Sequence, residues 1–304
     1  MILRSSPETS PRTVNAAPSA LTCREIDPND LDSVLDCLQR GFPDRGRDYW
    51  ARGLERLSRR DPPAGWPRYG QALFVEGKAV GALLQIVSQR GEGADARVVC
   101  NLSSWCLDEA YRAYAFLLHR RATARKEAVF LNISAAPHTR AAIEADGFLR
   151  YADGQMFFAP LLSRASRSAR ALPYAKSATA AERLPPGERR LLEEHAALGC
   201  HALVGVDGDE TTAFVLQDRT VWKRLVPGAH VVYARSEADL LRFAGALGRY
   251  LARRGRPFLA VDANAAIPGL VGRYAGDREP RYARGPMAHS PLDLAYTELQ
   301  IFGR

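Results

Sequence analysis

The segment LSSWCLDEAYRAYAFLL, residues 102–118, changes its hydrophobic period midway, and the reading of the chain turns on it. Joined to the preceding residues, it gives an apolar strand, ARVVCNLSSWCL, over 96–107. Asp108 then stands where a helix N-cap belongs, and Ala110, Tyr111, Tyr114, Leu117 and Leu118 share one face of a helix predicted over 109–125. Downstream, AVFLNIS (128–134) reads as a strand, Pro137 to Asp146 as a short helix ended by Gly147, and FLRYADGQMFFAP (148–160) as a hairpin. Upstream, LTCREI (21–26) is a strand, and Asp27-Pro28 precedes a helix carrying Leu31, Val34, Leu35 and Leu38. A second helix falls at 47–60, and QALFVEGKAVGALLQIVSQ (71–89) is two strands joined at Glu76-Gly77-Lys78. The predicted order, β-α-α-β-β-β-α-β-α-β-β, makes an α/β fold with a mixed sheet and helices on both faces.

The chain has 304 residues, enough for about two domains that need no disulfide or metal staples. Its 46% hydrophobic and 25% charged residues are ordinary for a globular protein, and no run approaches the ~20 apolar residues of a membrane span. The net charge is +8, yet only four of the 42 basic residues are lysine. An arginine-rich composition fits a GC-rich coding bias and also a cleft for a phosphorylated ligand. Five cysteines without C-x-x-C or framework spacing are expected to be reduced thiols of a cytoplasmic protein. Six scattered histidines form no metal-ligand pattern, and the serine-elbow, P-loop and zincin motifs are absent.

Residues 1–20 are Ser-, Pro- and Thr-rich and read as a disordered tail. A first unit then covers 21–162, and 163–304 holds a linker, with a strand at 170–175, followed by a second unit. The units resemble each other at an offset of about 130: RAYAFL (112–117) lies over RFAGAL (242–247), and Val129, Leu131 and Asn132 over Leu259, Val261 and Asp262. One residue further on, RYADG (150–154) meets RYARG (281–285).

The first unit resembles the GNAT superfamily of acyl-CoA N-acyltransferases, through LSSWCLDEAYRAYAFLL, VFLNIS and HTRAAIEADGFLRY (138–151). The second is similar more faintly, with Ser236 and Asp239 spaced as a capping box ahead of its helix. The resemblance implies two tandem units of this fold, the second degenerate, acting as an acyltransferase in a ternary complex. Acyl-CoA or acetyl-CoA would be the co-substrate, and a small-molecule or sugar amine the acceptor, with a hydroxyl as the second choice. In that family a Q/R-x-x-G-x-G/A loop binds the cofactor pyrophosphate at a helix N-terminus. The matching residues here are Arg112, Ala113, Tyr114, Ala115, Phe116 and Leu117, with side chains at both glycine positions. Ile143 stands where the family often carries a tyrosine that protonates the departing thiolate.

The resemblance also implies that main-chain donors near Cys106 and Leu107 polarise the thioester, and that Asn132 and Ser134 face the acyl-pantetheine arm. Ser104, Asn132 and His138 are the catalytic candidates, His138 because a helix start favours a neutral imidazole base. Each also has a structural reading, as a strand polar group needing a partner or a surface histidine. Arg273-Tyr274 and Arg281-Tyr282 are basic-aromatic pairs suited to an anionic acceptor or to nucleic acid. Two rival functions remain: a Fem-type aminoacyltransferase drawing on charged tRNA, for which a coiled-coil arm is missing, and a non-catalytic scaffold.

Overall fold

In the computed structural model, residues 21–303 are described apart from 92, 94, 95, 164 and 222–225, so the expected tail lies outside the described residues. The strands are β1 Leu21–Glu25, β2 Gly70–Val75, β3 Lys78–Arg90, β4 Arg97–Leu107, β5 Val129–Asn132 and β6 Leu149–Phe158. They continue with β7 Arg170–Pro173, β8 His201–Asp207, β9 Glu210–Val221, β10 Val226–Ala234, β11 Phe258–Ala263 and β12 Gly272–Arg284. The helices are α1 Leu31–Gly41, α2 Arg47–Ser58, α3 Ala115–Ala122, α4 Arg140–Ala145, α5 Ala178–Ala181, α6 Pro186–Ala197, α7 Glu237–Ala252 and α8 Glu298–Ile301.

All twelve strands join one mixed sheet in the order β1-β2-β3-β4-β5-β12-β6-β11-β10-β9-β8-β7. Among the described residues only β4–β5 and β10–β11 run parallel. The pairings around them are 130 residues apart, Cys100 with Val87 and Phe130 and His230 with Gln217 and Ala260, but the side chains are out of step: Cys100 and Phe130 lie in the core under α3, whereas Ala229, Val231, Leu259 and Val261 lie in the core under α7. The spacing changes at the middle of the sheet. Leu131 pairs with Ala283, whereas Val261 pairs with Met156.

The hairpin expected at 148–160 is instead the single strand β6, flanked by β11 and β12. Asp153-Gly154 looks like a turn because a small residue is needed there for another reason. A Cβ at Gly154 would stand 2.2 Å from the Ala275 carbonyl oxygen, so glycine lets β12 pass close by. Each half of the chain thus completes the other's sheet.

Helices α3, α4 and α7 cover one face, where Leu118, Ile143, Phe148 and Tyr282 form one core and Phe243, Leu247, Leu259 and Phe214 another. Helices α1, α2 and α6 cover the opposite face together with the C-terminal segment, whose Ile301 and Phe302 pack among Trp50, Leu54 and Leu84. In the β2–β3 turn Glu76 (φ 48°) and Gly77 (φ 78°) are both left-handed, as a two-residue hairpin demands, with glycine at the second position only. No helix among the described residues is long and apolar enough to cross a membrane.

Candidate active site

Strands β4 and β5 pair only from Val99–Val129 to Asn101–Leu131 and then part. At that point β4 bulges. Leu84 faces Ser103 and Ala82 faces Cys106, leaving Ser104 and Trp105 against Leu83, with Ser104 left-handed at φ 56°. A left-handed non-glycine residue costs energy and persists where its surroundings impose it, commonly at functional sites. Asn101 pins the parting strands: it is buried, its Nδ2 donates to the Leu131 carbonyl at 3.3 Å, and its Oδ1 accepts the Glu298 N–H at 2.8 Å.

A cleft of about 1190 Å³ passes through this opening. On the α3–α4 side it is bordered by Leu83, Leu102, His119, Thr139, Arg140, Ile143 and Phe148. On the other side it meets Phe42, Arg45, Tyr49 and Trp50, the C-terminal Glu298 and Phe302, and Asp218, Arg219, Arg256 and Arg278–Arg281 from the second half. Six arginines and three carboxylates border it, so the cleft is net basic.

Two groups of chemical interest meet here that the sequence did not single out. Glu298 accepts a short hydrogen bond from Ser103 Oγ, which lies 2.9 Å from Ser104 Oγ in the bulge. His119 stacks against Trp105 with ring centroids 5.2 Å apart, and its Nδ1 lies 3.5 Å from the Asp146 carboxylate. Burial lowers the His119 pKa, with Asp146 opposing and Arg284 adding to the shift, so the ring is neutral near pH 7. Glu298 could not be found by local pattern, since 195 residues separate it from Ser103.

Of the residues singled out in the sequence, Ser104, Asn132 and Ser134 border the cleft. His138 lies in the turn Pro137–Thr139, exposed and not itself bordering the cleft, although Pro137 and Thr139 on either side of it do. Cys106 points to the α1 side, its Sγ 3.9 Å from Cys37, and that neighbouring thiol together with burial raises its pKa strongly. Leu107 faces Gly81 across the ladder. The helix expected over 109–125 is a 3-10 turn, Glu109–Tyr114, followed by the shorter α3. Asp108 does not cap it, because Arg40 takes both of its carboxylate oxygens, at 3.0 and 2.8 Å. Arg112 and Ala113 are therefore exposed on the turn, Arg112 3.8 Å from Glu109, while Tyr114 and Ala115 are half-buried and Phe116 and Leu117 exposed. None of these six borders the cleft.

The corresponding opening in the second half is occupied by the chain itself. Beyond His230–Ala260, the Leu294 N–H donates to the Val232 carbonyl at 2.7 Å and the Ala234 N–H to the Leu292 carbonyl at 3.0 Å. The start of α7 is closed as well, Ser236 Oγ accepting the Asp239 N–H at 3.0 Å. Among the described residues no His, Cys, Asp and Glu group is placed to hold a metal ion, and all five cysteines are free.

No family model matches the chain, and no curated protein matches it in sequence. Solved structures do match. A GCN5-related N-acetyltransferase from Anabaena variabilis ATCC 29413 superposes with a TM-score of 0.56 at 8% identity, covering 87% of this chain and 72% of that one. Eis1 from Mycobacterium abscessus gives 0.50 at 15% identity, over 87% of this chain and 73% of its own. A GCN5-related N-acetyltransferase from Kribbella flavida gives 0.51 at 14%, over 87% and 71%. The fold of this chain is that of the GCN5-related N-acetyltransferases.

Proposed function

We propose that this protein is an acyltransferase that moves an acyl group from acyl-CoA or acetyl-CoA to an amine. The observation that carries the reading is the cleft that crosses the sheet where β4 and β5 part, open to a helix layer on each face. A thioester arm laid through it from the α3–α4 side would meet an acceptor entering from the α1–α2 side. Ser104 in the bulge, with Asn132 and Ser134 on the facing edge, would hold the arm. Arg112 stands at the turn before α3, on that same side, for the phosphates.

In the proposed step the amine nitrogen attacks the thioester carbonyl carbon, the C–N bond forms and the C–S bond breaks. Glu298 takes the proton lost by the amine, and the departing CoA thiolate is protonated by His119 Nε2, which first takes that proton from solvent while Asp146 beside Nδ1 steadies the transient imidazolium. His119 would then do the work expected of a tyrosine at Ile143, which borders the cleft but carries no acid.

The two parallel pairs, one in each half, support a tandem of two related units, 21–162 and 163–304. The filled β10–β11 opening supports a second unit that takes no acyl arm and instead forms the acceptor wall. Free thiols fit work in the cytoplasm. The test is calorimetry and thermal shift with CoA, acetyl-CoA and long-chain acyl-CoAs, repeated with Ser134→Trp, which blocks the opening. The expected outcome is a raised midpoint lost in the variant. No response to any of them overturns the reading and turns attention to charged tRNA or a scaffolding role.

A further inference from the structure

Strand β12 breaks its ladder on β6 between Gly276–Gly154 and Arg281–Ala152, so that the four residues Asp277 to Pro280 stand against Asp153 alone. Two of them are left-handed without being glycine, Asp277 at φ 54° and Glu279 at φ 50°. Such a conformation is strained and persists where the surroundings impose it. The two acids of the bulge are compensated: Asp277 accepts from Arg150 at 2.9 Å, and Glu279 from Arg219 at 3.2 Å and Arg281 at 3.3 Å. Arg278 between them has no carboxylate partner among the described residues. Its guanidinium lies over the Phe157 ring at 4.9 Å, exposed and bordering the cleft.

The opposite wall is built alike. Arg45, also exposed and without a carboxylate partner among the described residues, lies over the Tyr49 ring at 4.7 Å. Stacking on a ring orients a guanidinium while leaving its N–H edge free for a planar two-oxygen anion. Both arginines lie on the face away from α3 and α4, at the end of the cleft where Glu298 sits.

We propose that the acceptor is an amine that also carries an anionic group, carboxylate or phosphate, which Arg278 and Arg45 hold while the amine reaches Glu298. This rests on the acyl-transfer reading above. The strained bulge is then the device that lifts one uncompensated guanidinium into the cleft between two compensated acids.

The experiment titrates the full chain, saturated with CoA, with three amines of similar size: O-phosphoethanolamine, β-alanine and ethanolamine. The phosphate or the carboxylate amine is expected to bind at least about tenfold more tightly than ethanolamine, a difference that Arg278→Gln and Arg45→Gln each remove without altering CoA affinity. Which of the two anionic amines binds more tightly identifies the group. Equal binding of all three, no binding of any, or variants that weaken CoA in place of the amine each overturn the proposal. If CoA fails to bind the wild-type chain, the acyl-transfer reading falls, and the same titrations without CoA still decide whether these arginines select an anionic amine.

Discussion

Glu298 makes contacts of different kinds through its backbone and its side chain, and they can be separated. Its N–H is fixed by Asn101, while its carboxylate meets Ser103 and the cleft. Glu298→Gln keeps the backbone contact and removes only the proton acceptor. Acyl-CoA affinity should hold while kcat falls by about 10²–10⁴ and the acidic limb of the kcat/KM profile disappears; an unchanged profile would remove Glu298 from the chemistry. His195 shows a different residue-level constraint. Its Nδ1 donates to the Leu191 carbonyl at 2.8 Å and its Nε2 accepts the Tyr296 N–H at 3.2 Å, an arrangement open only to the neutral ring. Burial lowers its pKa to about 3, well under the ordinary 6.5. Between those values the unfolded chain binds the proton and the folded one does not, so stability is present above about 6.5 and is lost as pH falls towards about 3. Denaturant unfolding across that range should show a loss of several kcal/mol, reduced in His195→Gln.

Among elements, β6 and β12 carry the consequence. Gly154 allows the Ala275 carbonyl to approach to where a Cβ would be 2.2 Å away, and Gly272 does the same for Phe157. Gly154→Ala should destabilise the chain by roughly 1–3 kcal/mol, read as a lower urea midpoint. The local pattern around these strands was partly legible. Strands β1 to β5 and helices α1 and α2 lie where alternation and one-face spacing put them, because those signals need only neighbours in sequence. The hairpin at 148–160 and the helix over 109–125 were misread for one reason. Asp153-Gly154 and Asp108 are turn and cap residues by type, but β12 and Arg40 engage them from elsewhere in the chain.

For the molecule as a whole, the two halves differ in what fills the gap between parted parallel strands. In the first half the gap is a cleft, and in the second Leu292–Leu294 hydrogen bonds along β10 and closes it. Calorimetry should therefore give one acyl-CoA per chain; two would mean that the Leu292–Leu294 segment yields to ligand. The sequence by itself determined the mixed α/β class, and the resemblance it carries pointed to Ser104, Asn132 and Ser134, which border the cleft. The class follows from period and spacing, which are carried within short windows. Only the tertiary structure decided that β12 lies between β5 and β6, that Glu298 reaches Ser103, and that Arg278 and His119 face the same cleft as Ser104. Strand insertion and side-chain convergence depend on which distant surfaces can be buried together, and no periodicity within a segment records the partner it will meet.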